Sequence, residues 1–151
     1  MLDQRPIVLV EDDDNDADLA TRAFQRAKVS SPLVRARDGV EAIELLLGQN
    51  RAAAGEAHDL PFFVILDLNI PKLNGLAVLK AIRGDERTRH LPVIILTSSA
   101  EESDRLAAYD QFANSYIVKP LDYDKFVAAT LQLCQYWTQL NEPAPLKQAQ
   151  A

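Results

Sequence analysis

The chain has a single cysteine, Cys134, among 151 residues. An internal disulfide is therefore excluded, and the composition suits a reducing compartment. No apolar run is long enough to span a bilayer. The first residues, MLDQRP, lack the basic stretch and apolar core of a secretory signal, so a cytoplasmic location is the expectation. Basic residues are the minority, 16 Lys and Arg against 22 Asp and Glu, for a net charge of −6. Nucleic-acid binding calls for a basic face, and the sequence supplies none. Internal repeats, linkers and low-complexity blocks are missing as well. Two histidines, His58 and His90, fall in predicted loops without ligand-spaced partners and read as surface residues.

What is present fits one globular domain with a sizeable core: 48% of residues are hydrophobic and 25% charged. The chain is organised around Phe62–Gly75, FFVILDLNIPKLNG. Apolar residues Phe62 to Leu66 run into a lone carboxylate, Asp67. Pro71 then breaks the chain and Gly75 opens an amphipathic segment. A short apolar run between breakers reads as a strand buried on both faces. Its carboxyl end lies where open α/β folds place ligands.

Ile7–Val10 reads as a first buried strand ending in Glu11 and Asp12. Asp14–Lys28 has helical spacing. Leu33–Arg37 alternates and reads as a second strand. Asp38 can cap a helix over Val40–Leu47, and Gly48–Leu60 is a polar connection that extends that helix by a turn and then loops. After the central strand come a helix over Gly75–Arg83, a charged loop, and a strand over Pro92–Leu96 ending in Thr97. A fourth helix spans Glu101–Phe112, with Ser98 or Ser99 as its cap. Ser115–Val118 forms a fifth strand ending in Lys119 and Pro120. Asp122 can cap a last helix to about Leu140, and 141–151 is a tail or arm beyond a domain over 1–140. Five strand–helix alternations call for a parallel sheet with helices on both faces.

In such a sheet the strand ends share one edge, which brings Glu11, Asp12, Asp67, Thr97 and Lys119 together. Three neighbouring carboxylates repel, and a hard divalent cation resolves the repulsion. Oxygen-only ligands with open positions favour Mg²⁺. The alternative for the acidic run Glu11–Asp18 is a solvated first turn favoured by the helix dipole. An EF-hand loop counted from Asp12 fails, because Ala17 and Ala23 occupy its glycine and glutamate positions. Lys119 and Thr97 add a positive charge and a donor, which a transferring phosphoryl group needs on its oxygens. Singly, Thr97 reads as a strand-end cap, Tyr116 as a packed aromatic and Lys119 as a solvated cation; their joint placement is what points to chemistry. Asp67 is the candidate nucleophile for an aspartyl phosphate.

The segments VEDD (Val10–Asp13), ILDLNIPKLNG (Ile65–Gly75), ILTSSA (Ile95–Ala100) and YIVKP (Tyr116–Pro120) resemble the receiver domain of two-component response regulators, over about Pro6 to Leu133. The resemblance implies a flavodoxin-like doubly wound α/β fold of five βα units, with a five-stranded parallel sheet of order 2-1-3-4-5. It implies that Asp67 accepts phosphate from a sensor histidine kinase, and that Mg²⁺ is held by Asp12, Asp67 and the backbone of Asn69. Glu11 stands where an Asp is more usual and acts through water. Thr97 and Tyr116 are implied as the switch pair and Lys119 as the phosphate-binding lysine. Asn69 and Ser99 flank the path of attacking water. The Lys119–Pro120 bond is implied to be cis.

Phe126, Thr130, Leu133, Trp137 and Leu140 form one stripe of the last helix. From Asp122 to Leu140 that helix spans roughly 28 Å, against roughly 17 Å for a five-residue strand. Its Trp137 end should overhang the sheet, and a homodimer through Phe126, Trp137, Leu140 and the tail is expected, with core packing as the alternative. The long connection and extended end resemble stand-alone receivers that partner bacterial phytochromes. The reading is therefore a phosphoacceptor switch without metabolic turnover. The competitors are a pseudo-receiver that only binds a partner and an aspartyl-phosphate phosphatase. The phosphatase would need a second acid two residues after Asp67, where the chain has Asn69.

Overall fold

Strands β1 (Ile7–Val10), β3 (Val64–Leu66) and β4 (Val93–Thr97) are buried throughout. β2 (Leu33–Ala36) and β5 (Ser115–Val118) are more open and lie at the edges. All pair in parallel in the order β2-β1-β3-β4-β5. The computed structural model describes residues 5–48 and 60–145. Among them, α1 (Asp14–Arg26), α2 (Gly39–Leu47), α3 (Gly75–Gly84), α4 (Glu102–Asp110) and α5 (Tyr123–Gln135) follow the strands in turn. A wider turn over Tyr136–Leu140 continues α5, with the Asn141 N–H donating to the Tyr136 carbonyl.

Alternate strand residues face opposite ways, so the sheet builds two cores. Val8, Val10, Leu66, Val93 and Ile95 pack under α2, α3 and α4. Ile7, Leu9, Ile65, Ile94 and Leu96 pack under α1 and α5. Four helix starts are fixed by side-chain acceptors. Asp13, Asp38, Asn74 and Asp122 accept N–H bonds from Asp16, Glu41, Ala77 and Lys125.

The element ends match the sequence expectation to within two residues, with two exceptions: α2 stops at Leu47, where Gly48 turns extended and ends the further turn expected there, and the last helix keeps regular α geometry only to Gln135. Phe62 and Phe63 are buried but precede the β3 ladder. α4 is capped differently from expectation. Glu101 is its N-cap and makes no side-chain cap bond. The Ser99 hydroxyl instead accepts from the Glu101 N–H at 3.3 Å and donates to Asp104 at 2.6 Å. The Lys119–Pro120 bond is trans, correcting the cis expectation; trans is the isomer an X–Pro amide favours by about 0.5–1 kcal/mol. The stripe on the last helix divides. Phe126, Thr130 and Leu133 are buried, and Trp137 rests partly covered against Phe63 at a ring separation of 6.4 Å. The overhang begins beyond Trp137, where Leu140 is 73% exposed beside the exposed Tyr136. The expectations for 49–59, including His58, and for 146–151 lie outside the described residues; His90 is exposed, as expected.

Candidate functional site

Backbone pairing sets the site at the carboxyl edge of the sheet. The Asp67 N–H donates to the Val10 carbonyl at 3.1 Å, the Glu11 N–H to Ala36 at 3.0 Å, and the Lys119 N–H to Thr97 at 2.7 Å. Each strand thus delivers its terminal side chain to a common level. After Asp67 the chain turns sharply. The Asn69 N–H donates to Asp67 Oδ1 at 3.1 Å, and the Gly75 N–H to the Leu68 carbonyl at 2.9 Å. A Cβ at Gly75 would collide with the Asp67 carbonyl and the Leu68 Cα. Glycine is what lets α3 begin so close to the strand end.

Lys119 crosses this edge. Its ammonium donates to Glu11 Oε1 at 2.6 Å, Asp67 Oδ2 at 2.8 Å and Asp16 Oδ2 at 2.9 Å. The Lys119, Glu11 and Asp67 side chains are buried, while Asp16 is partly open. Burial pushes the Glu11 carboxyl up to about 7, against the hydrogen bond and charge of Lys119, which pull it down. Burial disfavours the charged ammonium of Lys119, but its bonds to Asp67, Glu11 and Asp16 outweigh burial and leave the group raised. The ammonium holds together carboxylates that would otherwise repel.

One carboxylate oxygen from each of Glu11, Asp12 and Asp67 lies within 4.8 Å of the other two. Glu11 and Asp67 form the buried floor and Asp12 the exposed lip. An all-oxygen, acid-rich donor set that opens to solvent on one side fits a hard divalent cation that keeps some of its waters.

Thr97 is fully buried at the end of β4. It and Tyr116 are joined through Ser99, whose N–H donates to Thr97 Oγ1 at 3.4 Å and whose carbonyl accepts from the Tyr116 hydroxyl at 3.0 Å. Burial raises the Tyr116 phenol above its ordinary value. The β4–α4 loop is therefore tied to a strand-end hydroxyl, an aromatic on the edge strand, and Asp104 of α4.

The family model of the response regulator receiver domain matches residues 7–131. The chain belongs to the response regulator receiver family. This receiver is similar to the probable methanogenesis regulatory protein FilR2 of Methanothrix harundinacea, 37% identical over 140 residues, 92% of this chain and 88% of that one. Among solved structures it is similar to the phosphorylated cyanobacterial phytochrome response regulator RcpA, with a TM-score of 0.85, 30% identity, and 94% and 99% of the two chains covered. The Mn²⁺-bound response regulator Rcp1 superimposes equally well, at TM-score 0.85 and 27% identity, covering 93% of this receiver and 99% of Rcp1. Receivers of this kind are signalling switches of two-component systems. This one is structurally close to stand-alone phytochrome response regulators and shares their flavodoxin-like fold.

The structure brings Glu11, Asp12, Asp67 and Lys119 into one pocket, with Asn69 at its rim. Thr97 ends β4, Tyr116 is the second residue of the edge strand β5, and Pro120 follows Lys119 directly beyond it. Sequence reasoning missed Asp16. It is one of several acids in the run Glu11–Asp18, and no local pattern sets it apart from its neighbours. It also missed Ser99 as the link between Thr97 and Tyr116. A carbonyl acceptor leaves no trace in a side-chain pattern.

Proposed function

We propose that this receiver accepts a phosphoryl group on Asp67 from a phosphohistidine of a sensor histidine kinase, in a Mg²⁺-dependent reaction. The observation that carries the reading is the Lys119 ammonium 2.8 Å from the Asp67 carboxylate. An Asp67 oxygen forms the new O–P bond as the P–N bond of the donor breaks. The imidazole leaves with the electron pair and takes up a proton. Glu11, Asp12, Asp67 and the Asn69 backbone carbonyl would hold Mg²⁺, with Glu11 acting through water. When bound, the ion supplies charge neutralisation at the phosphoryl oxygens. Lys119 donates to another of those oxygens. Phosphorylation adds a charge of about −1.5 to −2, and the Thr97 hydroxyl moves to bond it. That movement pulls on Ser99, and Tyr116, held to the Ser99 carbonyl, follows. The exposed surface of β5 and α4 changes in consequence.

The partner is a phytochrome kinase. The likeness to RcpA, described as a phytochrome response regulator, supports this. Residues 1–140 form the receiver and 141–151 an arm. The last helix and arm pair two copies, with Phe126 and Trp137 seating the helix and Leu140 on its surface. The test is chemical. Mg²⁺ and a small phosphodonor should add one acid-labile phosphoryl group, and Asp67→Asn should abolish it. Labelling that survives the substitution overturns the assignment, and multiple-turnover hydrolysis of phosphate esters would make the protein a phosphatase instead.

A further inference from the structure

An ammonium has three N–H donors, and all three of Lys119's are engaged, by Glu11, Asp67 and Asp16. The three acceptors are not equivalent. Glu11 and Asp67 belong to the trio whose oxygens converge for a cation; Asp16 stands outside that trio. A dication drawing on the Glu11 and Asp67 oxygens weakens their bonds to Lys119, because it takes electron density from the same carboxylates. Asp16 has no such competing demand. Its backbone is fixed in the first turn of α1, where its N–H donates to the Asp13 cap at 3.0 Å. Its side chain is 28% exposed, against 7% for Asp67 and 4% for Glu11, so it meets Lys119 from the solvent side of the pair.

We propose that Asp16 is a positioning residue that retains the Lys119 ammonium over Asp67 when a divalent cation takes the Glu11 and Asp67 oxygens. The inference rests on the metal-assisted reading above. Without Asp16, Lys119 leans on the two shared carboxylates and competes with the cation for them.

The test uses the full chain with Mn²⁺ as probe, its binding followed by electron paramagnetic resonance in the unmodified protein, Asp16→Asn, Lys119→Met and the double variant. Asp16→Asn should weaken Mn²⁺ binding by about three- to tenfold, the range expected for members of one ion-pair network. In the Lys119→Met background the same change should have almost no effect. An equal loss in both backgrounds means that Asp16 acts by its charge alone, and overturns the proposal. So does no loss in either. An unmodified chain that binds no Mn²⁺ overturns the metal-site reading itself. A second measurement needs neither metal nor the double variant: solvent exchange of the Lys119 ammonium protons, read by lysine-selective ¹⁵N NMR. It should accelerate in Asp16→Asn and return towards the original rate in Asp16→Glu; unchanged exchange in Asp16→Asn overturns the proposal.

Discussion

Glu11 carries a carboxyl that burial pushes up to about 7, well above its ordinary 4.5. A raised carboxyl binds its proton more tightly in the folded chain. Its contribution to the stability of the metal-free fold is therefore full below about 4.5 and lost as pH rises through about 7. Metal binding runs the opposite way, since a ligating carboxylate must first lose its proton. Titrations with Mn²⁺ should show affinity rising from about pH 6 to about pH 8, and Glu11→Gln should flatten that rise. Cys134 gives a second residue-scale test. It lies on the buried face of α5, and burial raises its thiol. A thiol reagent near neutral pH should leave it unmodified in the folded chain and titrate one thiol after denaturation. At this scale the sequence showed the identity of the pocket's residues far better than their bonding. Asp67 and Lys119 could be picked out because each ends a strand. Asp16 lies within a run of acids, where nothing local separates a structural carboxylate from solvated ones.

The elements were legible because their punctuation is local. Asp38 and Asp122 could be read as helix caps from position alone, and the structure shows both accepting the expected N–H bonds. What could not be read was the clasp at the opposite edge of the sheet. Arg83, at the end of α3, donates to the carbonyls of Arg89, Leu91 and Phe112 and to Asn114 Oδ1. That same Asn114 oxygen accepts the Val93 N–H at 2.8 Å. One guanidinium thus ties the loops that lead into β4 and β5 to α3. Arg83→Ala should cost about 1–2 kcal/mol in denaturant unfolding, because the part-buried Leu91 carbonyl and three more exposed acceptors lose their shared donor. Arg83→Lys should recover only part, lacking the planar fork. Gly75→Ala, which drives a methyl into the turn after Asp67, should cost about 1–3 kcal/mol and slow phosphorylation as well. α4 stands apart from these anchored elements. Ala108 is its one buried residue, while Leu106 and Tyr109 are exposed. Its amides should exchange with solvent ahead of those in α3.

For the whole molecule, the alternation of strands and helices foretold the parallel sheet, and the family resemblance its order. Both hold: all four strand pairings are parallel, in the order β2-β1-β3-β4-β5. The assembly was harder to read. Apolar spacing along the last helix cannot separate residues that cover the sheet from residues that await another copy. Burial separates them: Phe126 belongs to the core and Leu140 to the surface. If two copies meet there, Leu140→Asp should shift the sedimentation coefficient from dimer to monomer without lowering the unfolding midpoint, since Leu140 supports no core packing. Trp137 has another consequence. It is the sole tryptophan of the sequence, and its indole rests on Phe63, just ahead of the strand that leads to Asp67. Intrinsic fluorescence therefore comes from one known place, and an emission shift to the red on adding a phosphodonor would report, without any label, that the end of the last helix has lifted from its seat.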